Sequence, residues 1–166
     1  TPKQYRKTLV SLTQVVETKM CNNSWDDIEY QKVPSNAHNI YKKAFGLHSP
    51  ERYESYKESL TKGEVKINAS ALYPHQVVKS LDEDATIANA QWKALPNYIP
   101  EGSSILPMID LSGSMEASAS RGYSCMDVAI ALGLYTSTKN TGAFKNLWLN
   151  FSEKPKLYQL KGESLA

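Results

Sequence analysis

Between Tyr5 and Met20, apolar side chains fall at Tyr5, Leu9, Leu12 and Val16, the spacing of one helical face. This pattern predicts a first helix with that stripe turned inward. A second helix is expected after Pro34, with Ser35 as its cap, Ala37, Ile40, Tyr41, Ala44 and Phe45 on one face, and Gly46 as its end. Ser49-Pro50-Glu51 announces a third: a cap, a proline in the first helical position, then an acid in the first turn. It points Tyr53, Tyr56 and Leu60 inward and stops near Gly63. Pro74 opens a short fourth helix through Leu81. Asp82 is expected to cap a fifth, which presents Ile87, Ala88, Trp92 and Leu95 and ends at Pro96.

From Asn97 to Ser104 the periodicity disappears, and Pro100 and Gly102 mark a linker. The pattern then changes from helical to extended. Ile105 to Ile109 is a short continuous apolar run, as in a strand covered on both faces, although Pro107 within it argues against a central position. Ser124 and Asp127 have capping-box spacing, and a helix of small and apolar residues follows to about Ser137. Leu147 to Phe151 and Lys156 to Leu160 read as strands joined by a tight turn at Glu153-Lys154-Pro155. The expected fold is therefore α followed by α/β. A helical, HEAT-like bundle over residues 1–99 precedes an open Rossmann-like sheet with an antiparallel edge over residues 104–166.

Composition agrees with a packed core: 41% of residues are hydrophobic and 22% charged. A net charge of +2 is too small to argue by itself for nucleic acid or a membrane surface, and no apolar run approaches a membrane span. Cys21 and Cys125 are far apart and lack CxxC spacing, which points to a reducing compartment. The N-x-S sequons at Asn22, Asn68 and Asn150 have no apolar signal segment before them and read as chance matches in a cytoplasmic chain.

The chemistry concentrates in Asp110 to Met115, D-L-S-G-S-M, directly after the apolar run. In an open α/β sheet, ligands gather at the carboxyl ends of strands. A loop leaving such a strand with Asp110, Ser112 and Ser114 at alternate positions offers one carboxylate and two hydroxyls to a single point. Such hard oxygen donors suit Mg2+ or Mn2+. The competing reading is a serine-rich loop that caps a helix, since Ser118, Ser120 and Ser124 follow closely.

The D-x-S-x-S spacing resembles the first loop of the metal-ion-dependent adhesion site of von Willebrand factor A (vWA) domains. Further stretches extend the likeness: V-P-S-x-A from Val33, Y-K-K-A-F from Tyr41, K-I-N-A-S-A-L-Y-P from Lys66 and F-S-E-K-P from Phe151. Together they resemble an uncharacterised family of plants, large DNA viruses and phages, in which a helical module similar to the TROVE module of the Ro autoantigen precedes a vWA domain. The resemblance implies a binding or scaffold protein of the cytoplasm or of a virion, with a metal-dependent site and an RNA-binding helical module. A complete vWA domain has further strands, with a threonine and an aspartate in two more metal loops. This sequence reaches Ala166 after its third strand, so the metal is expected to bind weakly or not at all. The rest of a vWA domain, or another chain, is expected to pack on residues 104–166.

The functional alternatives differ in class. One is a metal-dependent binder of protein or RNA. Another is a structural or protein-interaction module without RNA. An enzyme is not expected, because His38, His48 and His75 lie on helical segments as surface or capping residues, without a partnered nucleophile. For RNA the candidates are Lys42, Lys43, Arg52 and Lys57, near Tyr53 and Tyr56. Glu51, Glu54 and Glu58 are interleaved with them, as on a solvated helix of mixed charge.

Overall fold

The computed structural model describes residues 1–166 apart from Gln14, Arg121, Glu163 and Ala166. It is a mixed α/β chain that is mostly helical and carries a small sheet. The chain divides into two units, residues 1–71 and 72–166.

The first unit is helical. α1 spans Pro2–Leu12 and α2 spans Val16–Cys21, so the helix expected over 5–20 is two helices broken around Thr13. Its stripe is not buried either: Tyr5, Leu9 and Leu12 are exposed, and only Val16 is in the core. Periodicity identified a face without supplying a partner for it. α3 (Ser35–His48) and α4 (Pro50–Lys62) meet at the single residue Ser49. α4 matches the sequence pattern closely, with proline at its first turn, Tyr53 and Tyr56 buried, and Gly63 in the left-handed conformation (φ 75°) as its end. α3 differs in detail. Its cap position is Pro34, Ser35 is a buried first-turn residue, Gly46 lies inside the helix, and Ile40 is 69% exposed. The core of this unit is aromatic: Phe45, Tyr53 and Tyr56 pack against both His38 and Tyr30, with ring centroids 5.2–6.3 Å apart.

The second unit opens with α5 (Pro74–Lys79), a 3-10 turn (Ser80–Asp82) and α6 (Ala85–Ala94). The cap of α6 is Asp84, which accepts from the Ile87 amide at 3.1 Å; Asp82 belongs to the turn before it. Ile87, Ala88, Trp92 and Leu95 are buried, as their spacing requires. β1 (Met108–Asp110), β4 (Leu147–Phe151) and β5 (Leu157–Gln159) form a sheet in the order β1-β4-β5, with β1 and β4 parallel and β5 an antiparallel edge. Between β1 and β4 lie a 3-10 turn (Gly113–Glu116), a small hairpin of β2 (Ser118–Ser120) and β3 (Tyr123–Ser124), and α7 (Cys125–Lys139).

α7 covers one face of the sheet. Ile109 of β1 fills the space beside Gly133, and the Ser137 hydroxyl donates to the Leu147 carbonyl at 2.9 Å. The helix's other side meets α5, and its Tyr135 ring meets Trp92 of α6 edge-on. Register places Met108, Leu147, Leu149, Phe151 and Leu157 on the opposite face of the sheet. There Met108, Phe151 and Leu157 are 54–60% exposed. The strand expected over 105–109 is thus shorter, begins later, and is covered on one face.

Candidate functional site

Asp110 is the last residue of β1, at the carboxyl end of the parallel pair. Its Oδ1 accepts from the Ser112 amide at 2.9 Å, a turn that reverses the chain out of the strand. The same turn brings the Ser112 and Ser114 hydroxyl oxygens within 2.9 Å of each other. Ser114 lies in the 3-10 turn, and both serines are exposed. The three residues of the expected metal loop therefore occupy one short, solvent-reachable stretch. One carboxylate and two hydroxyls fit a hard cation chemically but leave most of an octahedral shell to water or a partner. Among the described residues no group of three or more His, Cys, Asp or Glu could hold a metal ion.

The hairpin after the loop has no signal of its own in the sequence pattern. S-A-S-R-G-Y has no apolar alternation to signal a strand. What holds the hairpin is α5: Lys79 Nζ donates to the Gly122 carbonyl and sits 4.5 Å from the Tyr123 ring centroid, while His75 meets the same ring edge-on at 4.7 Å. His75 and Lys79 are four apart on one helix, and that spacing is the signal available in sequence. Ser124 and Asp127 form the expected capping box at the start of α7, with bonds of 2.8 and 3.1 Å. The backbone and hydroxyl of Ser124 hold the Asp127 carboxyl below its ordinary range.

Of the four residues considered for RNA, Arg52 and Lys57 make contacts within the chain and Lys42 is buried. Lys42 is 5% exposed, a consequence of its place on the inward side of α3. Arg52 donates to the carbonyls of Trp25 (2.9 Å) and Ile28 (3.2 Å) and lies over the Tyr30 ring. Lys57 pairs with Glu54 at 2.6 Å and lies over the Tyr53 ring; Lys43 is exposed. Among the histidines, His38 departs from expectation. It is fully buried, with Nε2 3.1 Å from the Tyr53 hydroxyl. His48 stacks on Trp25 at 4.1 Å. Cys21 and Cys125 are free thiols. The Tyr56 hydroxyl is buried without a hydrogen-bond partner among the described residues, and burial pushes its pKa up to about 12.

A mixed α/β chain with one acidic-serine loop at a parallel strand end defines a class of architecture, and comparison with known families places it further. Residues 2–105 match the family model described as a domain of unknown function, DUF2828, and the chain belongs to that family. Residues 104–166 match a second model described as a domain of unknown function, DUF7788. An uncharacterised protein of Acanthamoeba polyphaga mimivirus is 32% identical over 188 residues, covering 99% of this chain. The chain spans only 32% of that relative's length. No solved structure matches. No described helix is long and apolar enough to cross a membrane.

Proposed function

We propose that this chain is a binding module in which residues 104–166 are the opening of a vWA-like domain and the helices before them resemble a TROVE-like module. In this reading Asp110, Ser112 and Ser114 are the first part of a site for Mg2+ or Mn2+. The observation that carries the reading is the 2.9 Å approach of the Ser112 and Ser114 hydroxyls beside Asp110 at the end of a parallel strand. Two neutral hydroxyls and one carboxylate leave much of a divalent charge uncompensated, which favours a carboxylate or phosphate from a partner as a further ligand. The role of these residues is to orient that ligand and not to turn it over.

A second reading, an interaction module that needs no metal, draws on the exposed apolar face of Met108, Phe151 and Leu157. Titration calorimetry with Mn2+ and Mg2+ separates the two. Metal-dependent binding predicts a saturable, weak association, on the order of a millimolar Kd, that disappears in Asp110→Ala. Binding that survives Asp110→Ala, or no binding by the full-length protein that carries the remaining loops, removes the metal site and leaves the interaction module. RNA recognition is tested separately by filter binding at several salt concentrations. Phosphate contacts require affinity to fall steeply with salt and to weaken in Lys43→Gln.

A further inference from the structure

At the end of the second unit away from Asp110, four lysines line one groove of about 500 Å³: Lys93, Lys139, Lys145 and Lys161. They converge there because two helices finish at this point. Lys93 lies in the last turn of α6 and Lys139 is the last residue of α7. Lys145 precedes Asn146, which takes a left-handed conformation (φ 61°) to enter β4, and Lys161 follows β5. The Leu160 amide bonds the Asn146 carbonyl at 2.8 Å, which holds the two lysine-bearing segments side by side.

Among the described residues the charge is unbalanced. No described lining residue is acidic, and Lys93, Lys145 and Lys161 form no ion pair with a described residue. Lys139 is half-buried and donates to the carbonyls of Leu95 (3.1 Å) and Lys93 (3.4 Å), so it is held in place by the end of α6. Burial lowers its pKa, as expected of an ammonium without a counter-charge. The carboxyl ends of two helices offset about one unit of positive charge between them, roughly half a charge each, which leaves most of the four uncompensated. Trp92 and Leu134 supply an apolar wall. The volume falls within the roughly 300–1,000 Å³ of small-ligand sites.

We infer that this groove binds a phosphorylated small molecule, with its phosphate at the lysines and its less polar part against Trp92 and Leu134. This is a different site from the Asp110 loop and does not depend on the metal reading. Pyrophosphate is the probe, titrated into the whole chain by calorimetry, with thermal melts alongside. Saturable one-to-one binding is expected, weakened at least tenfold in the double variant Lys145→Gln/Lys161→Gln and unchanged in Lys62→Gln. Pyrophosphate should raise the melting temperature of the unaltered chain and not that of the double variant. Both substituted lysines are exposed, so the double variant should melt normally without ligand. Absence of saturable binding, or equal binding by the double variant, overturns the site. A 5′-phosphorylated single-stranded oligonucleotide that binds far more tightly than pyrophosphate, through the same two lysines, overturns the small-molecule assignment in favour of nucleic acid.

Discussion

Gly133 sets how closely α7 approaches β1. A Cβ there would lie 2.6 Å from Ile109 Cγ1, closer than packed carbons come. Gly133→Ala should therefore cost about 1–3 kcal/mol by overpacking, despite alanine's better helix propensity. Ile109→Val in the same chain should recover part of that loss, because the two effects are coupled through one contact. Denaturant midpoints of the single and double variants check this, and an unchanged midpoint for Gly133→Ala would mean the helix can shift freely. Asp127 gives a prediction in pH. Its folded pKa lies below the ordinary carboxylate value of 3.8, so its contribution to stability is present above that value. The contribution is lost as pH falls through the folded pKa. Asp127→Asn should flatten the acid limb of a stability-against-pH curve while leaving the rest of the curve unchanged in shape.

Among the elements, those with both a period and punctuation were legible in sequence. α4 has a proline, an acid, two buried tyrosines and a terminal glycine, and the structure follows each of them. α7 has its capping box. Illegible elements lacked one of the two signals. The α1 stripe has period but no partner, and the β2–β3 hairpin is held by side chains of α5, forty-odd residues earlier. The burial of His38 follows from the aromatic cluster of Phe45, Tyr53 and Tyr56, which no local pattern announces. The candidate loop was legible as residues, and its turn through the Ser112 amide is local. Its surroundings were not, because they come from distant helices. Tyr135 shows how such distant links work. Its hydroxyl donates to the Pro96 carbonyl at 2.6 Å and accepts from the Tyr98 amide at 2.9 Å, joining α7 to the chain that leaves α6. Tyr135→Phe should cost about 1–3 kcal/mol, since it leaves two half-buried backbone groups without their partner. Hydrogen exchange at Tyr98 should accelerate in that variant, and an unchanged rate would argue against the link.

For the whole molecule, the two family matches meet at residues 104–105, whereas α5 packs on both α6 and α7 within residues 72–166. Trp92, on the first side of the family boundary, meets Tyr135, on the second, edge-on at 6.3 Å. Trp92→Ala should cost about 3–5 kcal/mol as a cavity in this contact. Its signature should be loosening of α7 as well as α6, seen as faster amide exchange across Cys125–Lys139. A loss confined to α6 would mean that the two helices are independent. The Tyr135 link also bears on how such a protein can be inherited in pieces. A recombination event that moved residues 104–166 alone into a new gene would transplant a helix whose Tyr135 lacks Trp92, Pro96 and Tyr98. The segment that keeps these contacts together starts near Leu72, inside the first family segment. Exchange of these parts between lineages should leave its seams there, upstream of the junction that the two family models share.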